Sequence, residues 1–224
     1  MNNYPMVSCI MPTKNRRKFI LNAIEYFLKQ TYKNKELIII DDGLDKVEDL
    51  IPDNKIIKYI YLDIEQSIGA KRNYANSIAS GDIIMHWDDD DWMADEWIHR
   101  QVYELINLKA DITGIQNVYY YNLDEQITYY YSFAENFGPW VLGGSLCYYK
   151  YVWDKYPFLS INIGEDSLFL KNLKSFKIIP HNHNKYYVGI IHSNNTSFKS
   201  LNDNSYWKKI EKHKMLFFPF ENFK

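Results

Sequence analysis

Cysteine is scarce in this chain: among 224 residues it occurs only as Cys9 and Cys147. The two lie far apart, each inside an apolar stretch, which argues against a disulfide framework and for two buried thiols. No apolar run approaches the roughly 20 residues needed to cross a bilayer. The start, Met1-Asn2-Asn3-Tyr4-Pro5, lacks the charged-then-apolar layout of a secretion signal. A reduced, cytoplasmic setting is the expectation, with association at the inner face of the membrane left open. A dominant charge is lacking as well. Lys and Arg number 26 against 28 Asp and Glu, a net charge of −2, which argues against a nucleic-acid partner held through its phosphates. Arginine is rare, found only at Arg16, Arg17, Arg72 and Arg100, while lysine is the default base. In such a chain an arginine marks a place that needs a planar, bidentate donor to phosphate or carboxylate.

What is plentiful is core material, with 46% of residues hydrophobic and 17% aromatic. Length and pattern predict one α/β domain over residues 1–224. Val7-Ser8-Cys9-Ile10-Met11 reads as a first strand. Asn15 reads as the N-cap of a helix carrying Phe19, Ile20, Ala23, Ile24, Phe27 and Leu28 on one face. Leu37-Ile38-Ile39-Ile40 reads as a strand covered on both sides, ending at Asp41-Asp42-Gly43. A strand over 56–62, a helix over 69–79, a strand over 83–87 and a helix over 96–108 follow. This alternation predicts a Rossmann-like, mostly parallel sheet flanked by helices. From about residue 111 the pattern loosens into a smaller mixed β region. A hairpin around residues 122–125, a Gly-rich stretch at 140–145, a helix over 165–176, a strand over 186–191 and a last helix over 206–217 are expected there.

Three strands of the first half end in polar clusters: Pro12-Thr13-Lys14-Asn15-Arg16, Asp41-Asp42-Gly43 and Asp88-Asp89-Asp90-Asp91. In an open parallel sheet these ends share one edge, where ligands bind at the reversal of strand order. Four adjacent carboxylates repel unless water or a cation disperses their charge. An arbitrary acidic run is usually a solvated turn. The flanking Trp87, Trp92 and Met93 argue against that here, and oxygen ligands suit Mg²⁺ or Mn²⁺. Gly69-Ala70-Lys71-Arg72-Asn73, at a helix start, would favour an anion such as a pyrophosphate through its N–H groups and its two basic side chains.

The segments VSCIMPTKNR, ELIIIDDG, SIGAKRNYANSIASGDIIMHWDDDDW and GEDSLFL together resemble the family-2 glycosyltransferases, enzymes of the GT-A fold that build cell-surface polysaccharides. The resemblance spans about residues 5–200. It implies a nucleotide-binding half over about 1–110 and an acceptor-binding half with the C-terminal helix over about 111–224. It implies a nucleotide-sugar donor, UDP-linked, and a saccharide or lipid-linked acceptor. Pro12, Thr13, Asn15 and Arg16 would line the nucleotide pocket, and Asp42 would accept a hydrogen bond from the uracil. Lys71 and Arg72 would lie near the base and diphosphate. Asp88 and Asp89 would sit near the ribose and sugar, with Asp90 on the metal. Asp166, beside Glu165, would be the catalytic base of an inverting reaction. His192, in IIHSNNTSF, resembles a late segment that closes over the diphosphate and sometimes touches the metal. The Gln-x-x-Arg-Trp signature of processive members is absent.

On the acceptor side Trp140, next to Gly143 and Gly144, offers a flat face for a sugar ring, with Glu165 nearby. Most of the tyrosines suit strand packing. His181 and His183 are either surface histidines or a metal pair. Phe217-Phe218-Pro219-Phe220 is left open between docking on the domain, pairing subunits and touching a membrane. Two other functions compete. A sugar nucleotidyltransferase would carry a Gly-rich loop after the first strand, where this chain has no glycine. A non-catalytic carbohydrate-binding module would leave the acidic run without a purpose.

Overall fold

Both faces of the first apolar runs find a core, and so they become parallel strands. In the computed structural model, which describes residues 4–133, 139–201 and 205–223, β1 (Val7–Thr13), β2 (Lys35–Asp41), β3 (Ile57–Tyr61) and β4 (Ile83–His86) pair in parallel. Residues 1–3, on which the reading of the start partly rests, lie outside the described residues. The helices α1 (Arg17–Lys29) and α2 (Ile68–Ile78) intervene. Val7, Cys9, Met11, Leu37, Ile39 and Met85 point into one core, and Ile10, Ile38, Ile40 and Ile84 into the other. Side chains alternate across a strand, so a continuous apolar run fills both.

The chain continues through β5 (Trp92–Met93), α3 (Trp97–Asn107), β6 (Ile112–Ile115), β7 (Val118–Asn122) and β8 (Ile127–Tyr131). Then come β9 (Cys147–Tyr149), α4 (Lys150–Lys155), α5 (Glu165–Asn172), β10 (Ile178–His181), β11 (Tyr187–Ile191) and β12 (Trp207–Ile210). The larger sheet has the order β10-β6-β9-β4-β1-β2-β3, and the smaller β12-β8-β7-β11-β5. The expected hairpin is the antiparallel pair β7–β8. Strand β9 runs antiparallel between β4 and β6, so the larger sheet is mixed. Strand order reverses between β1 and β4, and that point opens towards the acidic run. Cys9 and Cys147 both pair with Met85, from opposite sides. Two strand spacings, about 9.5 Å, keep the thiols apart, and both are free and buried.

Two expectations fail. Asn15 is not a helix cap: it sits at φ 54° and its Oδ1 accepts from the Asp45 N–H at 3.0 Å, while α1 starts after Arg16 with no side-chain cap. A Cβ on Gly43 would lie 2.5 Å from the Asn15 nitrogen, so glycine there lets the loop after β2 press on Asn15. The last helix over 206–217 is replaced by β12 and a short 3₁₀ turn, Lys212–Met215. The open edge of β8 takes up Trp207, Lys208, Lys209 and Ile210 as an antiparallel strand, with Trp207 inward and both lysines exposed. Strands β5, β6 and β10 and helix α4 had no clear sequence pattern, being only 2–6 residues long and defined by their neighbours.

The aromatic terminus docks on the domain itself. Phe217 and Phe218 pack on Trp92, and Phe218 and Phe220 on Tyr121, all from the smaller sheet. Among the described residues no helix is long and apolar enough to cross a membrane. Phe218 is 3% exposed and Leu216 85%. Phe218→Ala is therefore expected to cost about 3–5 kcal/mol in urea unfolding, and Leu216→Ala under about 0.5 kcal/mol. Equal effects would show that the segment is not packed in solution.

Candidate active site

The acidic run bridges the two sheets: β4 ends in one at His86, β5 begins in the other at Trp92, and the four carboxylates form the turn between them. Each has its own anchor. Asp88 Oδ1 faces Arg72 Nη2 at 3.5 Å. Asp89 Oδ2 accepts from Thr13 Oγ1 at 2.6 Å, across the point where strand order reverses. Asp90 Oδ2 takes Arg16 Nη1 at 3.3 Å, His192 Nε2 at 3.0 Å and Asn195 Nδ2 at 3.3 Å. Asp91 Oδ1 accepts from the Ile190 N–H at 2.8 Å, and its Oδ2 from the Tyr187 hydroxyl.

Crowding and burial act on these acids as electrostatics requires. Burial raises the Asp88 carboxyl above its ordinary range, although Arg72 opposes this. Asp89 is pushed up to about 8 by burial and by Asp90, against Arg16 and Thr13. Asp91 is held well above the usual range by burial, Asp90 and Asp88.

A cavity of about 650 Å³ opens beside this turn. Pro12, Thr13, Asn15, Arg16, Lys71, Arg72, Asp88, Asp89, Asp90, Gly144, Glu165 and Asp166 all line it, although they span more than 150 positions of sequence. His192 meets the cavity wall through Asp90. Asp42 does not line it: its side chain is fully buried, with Oδ1 on Lys71 Nζ at 2.6 Å and Oδ2 on the Gln66 N–H at 2.7 Å. Lys71 also donates to the Thr13 carbonyl at 2.8 Å, so Asp42 holds the lysine that faces the cavity. Trp140 stacks on Phe133, with centroids 4.7 Å apart, outside the described lining.

The start of α2 differs from the expected anion site. Its first N–H groups are taken up within the protein: Ile68 by Asn162 Oδ1 at 3.0 Å, Gly69 by the Ile161 carbonyl at 3.1 Å, and Ala70 by Ser67 Oγ at 3.3 Å. A Cβ on Gly69 would lie 1.8 Å from the Leu159 carbonyl oxygen, so glycine lets this loop cover the helix end. Positive charge reaches the cavity through side chains instead. Arg72 Nη1 donates to Glu165 Oε1 at 2.7 Å, both groups buried, and its Nε has no protein partner.

Helix α5 brings in the other carboxylates. Gly164 precedes it at φ +80°, a backbone that favours glycine. Asp166 is half-buried, with Oδ1 on the Ser167 N–H at 2.6 Å and Oδ2 against Gly143. A Cβ on Gly143 would stand 1.8 Å from that Oδ2, and one on Gly144 2.4 Å from both Asp88 Oδ2 and the Tyr187 hydroxyl. His86, fully buried and kept neutral by desolvation, sits 2.7 Å from the Gly143 carbonyl oxygen through Nδ1 and steadies this turn.

Sequence reasoning missed Tyr187, Tyr120 and Asn195. Alternating tyrosines suit strand packing, and nothing in their spacing separates Tyr120 and Tyr187 from the rest. Asn195 stood three residues past His192, a spacing that carried no recognised signal. His181 and His183 bond to Gln101 and Glu104, at 2.6 and 2.7 Å, rather than to each other's ligand sphere. Among the described residues no group of three or more His, Cys, Asp or Glu could hold a metal by itself. The scarce arginines all have planar partners or charged ones: Arg17 bonds Asp49 through both terminal nitrogens, at 2.6 and 2.7 Å, and Arg100 lies over the Tyr186 ring.

The family model described as Glycosyl transferase family 2 matches residues 8–166. The glycosyltransferase GlyA of Streptococcus pneumoniae is 26% identical over 177 residues, which are 77% of this chain and 23% of that protein. The putative colanic acid biosynthesis glycosyl transferase WcaA of Escherichia coli is 39% identical over 102 residues, 43% of this chain and 35% of that one. The chain thus spans less than half the length of these curated relatives. Its fold is similar to that of S. aureus TarS residues 1–349 in complex with UDP-GlcNAc, with TM-score 0.68, 19% identity, and 88% and 63% of the two chains covered. It is also similar to a Pyrobaculum calidifontis mannosyltransferase in complex with GDP-Man and Mn²⁺, with TM-score 0.66, 14% identity, and 92% and 59% covered.

The raised carboxyl of Asp89 links stability to pH. The folded state binds this proton more tightly than an unfolded Asp at 3.8, so the contribution is whole below about pH 4 and lost as pH rises through about 8. Metal-free protein is expected to lose urea resistance between about pH 4 and 8, and Asp89→Asn to lose less. An identical slope in the variant would remove Asp89 as its source.

Proposed function

The chain belongs to glycosyl transferase family 2, and from that premise we propose that it moves a sugar from a nucleotide sugar, UDP-linked, to a hydroxyl of a saccharide or lipid-linked acceptor, with inversion and with a divalent cation. The observation that carries this reading is the cavity where strand order reverses, lined by Asp88, Asp89 and Asp90 together with Arg16, Lys71 and Arg72. UDP-GlcNAc in the TarS complex and GDP-Man in the mannosyltransferase complex support a nucleotide-sugar donor.

Pro12, Thr13, Asn15, Arg16, Lys71 and Arg72 would hold the nucleotide and diphosphate, with Asp88 and Asp89 by the ribose and sugar. The residues present fit a hard divalent ion. Among the described residues, all three donors to Asp90 go to Oδ2, so Oδ1 keeps its capacity. Mg²⁺ and Mn²⁺ are commonly held by one or two carboxylates together with substrate phosphates. When bound, the ion would act as a Lewis acid on the departing diphosphate, whose negative charge grows as the sugar–phosphate bond breaks. Arg16 stands 3.3 Å from Oδ2 of the same carboxylate and would add a fixed positive charge there.

The acceptor hydroxyl needs a base. With Oδ1 of Asp166 bonded to the Ser167 N–H, Oδ2 is the oxygen free to take the proton. The hydroxyl oxygen bonds the anomeric carbon, the diphosphate leaves from the opposite face, and the proton passes to Asp166. Gly144 and Glu165 would shape the acceptor side, and Trp140 would offer a sugar platform from outside the described lining.

UDP and Mn²⁺ together are expected to raise the Tm where neither does alone, and Asp90→Asn to lose that joint shift. An unchanged shift in this variant removes Asp90 from the metal. Asp166→Asn is expected to bind donor as before and to lose transfer by about 10²–10⁴-fold. Turnover near the parent rate would exclude it as the base.

A further inference from the structure

We propose that the edge formed by β12 and the turn after it docks on an anionic lipid membrane, whose phosphate headgroups meet four lysines while Leu216 enters the apolar layer beneath. Lys208, Lys209, Lys212 and Lys214 fall within seven positions, with Glu211 the one acid among them, in a chain of net charge −2. All four are exposed. Strand β12 stands at one end of the smaller sheet, and lysines on such an edge commonly guard against pairing with another strand. That accounts for Lys208 and Lys209. It does not account for Lys212 and Lys214, which lie beyond the strand in the 3₁₀ turn Lys212–Met215. Among the described residues none of the four has a carboxylate partner, and Glu211 Oε2 already lies 2.9 Å from His213 Nδ1. A cavity of about 400 Å³ opens beside them, lined by Lys209, Lys212 and Lys214 with Gln126, Thr128 and Glu211. Three ammonium groups around such a cavity suit a phosphate oxygen.

The apolar part is what selects a membrane. Met215 is fully buried and Phe218 is 3% exposed, yet Leu216 between them is 85% exposed. Its aromatic neighbours are already seated, Phe217 and Phe218 on Trp92. Lys212 Nζ lies 5.3 Å from the centre of the Phe220 ring, so the docked terminus also places this ammonium. Leu216 is thus an apolar projection fixed beside a basic edge. A nucleic acid would meet the lysines through its phosphates and leave Leu216 in water. A lipid surface answers both, with phosphates outermost and hydrocarbon a few ångströms below. The cavity beside the lysines shares no lining residue with the one at the acidic turn, so the inference stands apart from donor, metal and acceptor.

The test is co-sedimentation of the whole chain with vesicles of phosphatidylcholine alone and of phosphatidylcholine mixed with phosphatidylglycerol. Binding to the mixed, anionic vesicles alone is expected, weakening as added salt screens the surface. Each lysine near such a surface contributes about fivefold to partition, so Lys209→Glu with Lys214→Glu is expected to weaken binding by about 25-fold or more. Leu216→Ala is expected to weaken it by about threefold or more. Leu44→Ala, at a leucine 94% exposed on the loop after β2, is expected to leave it unchanged. All these side chains stand in solvent, so the variants are expected to keep the parent's urea midpoint. Parent protein that ignores anionic vesicles, or binds both kinds equally, overturns the proposal. So do lysine or leucine variants that bind as the parent does. Binding to an RNA homopolymer that the lysine variant loses, with vesicles left unbound, assigns the lysines to nucleic acid and overturns it as well.

Discussion

Four adjacent carboxyl groups in one turn between two sheets are the constraint around which the molecule is organised. Ionised together they would repel one another, and burial would sharpen the repulsion. The fold answers with a separate partner for each: Arg72 from α2 for Asp88, Thr13 from the end of β1 for Asp89, Arg16 with His192 and Asn195 for Asp90, and the Ile190 amide with Tyr187 from β11 for Asp91. Those partners come from both sheets, from α2 and from the loops beside α1 and β11. The turn therefore joins the two halves and lines the cavity at once, and charge neutralisation and site geometry become one requirement.

Close approach is the second requirement, and it is met by small residues and a buried imidazole. Gly143 and Gly144 leave room for the carboxylates of Asp166 and Asp88, Gly189 leaves room for Tyr120, and His86 holds the Gly143 carbonyl from behind. The buried Arg72–Glu165 pair ties α2 to the first turn of α5. Breaking one partner of such a pair strands a buried charge, so the position of Asp166 depends on Arg72, 94 positions earlier in the chain.

The parallel half was legible because each of its strands is an apolar run long enough to fill two cores, and its polar clusters fall at strand ends that topology must bring together. The errors share a cause. Asn15 has a capping side chain but an earlier claim from Asp45, the N–H groups of α2 are covered by a loop 90 residues away in sequence, and the helical spacing over 206–217 yields to the open edge of β8. In each case a local preference worth about 1 kcal/mol met a tertiary partner worth more.

What the residues alone determined was the α/β character, the sheet edge that carries the chemistry, and the identity of the groups gathered there, because periodicity and strand-end position are local properties. What only tertiary structure decided was which oxygen of each carboxylate is occupied and which basic side chain is already paired. Those depend on hydrogen bonds between residues as many as about a hundred positions apart, and no local pattern encodes them.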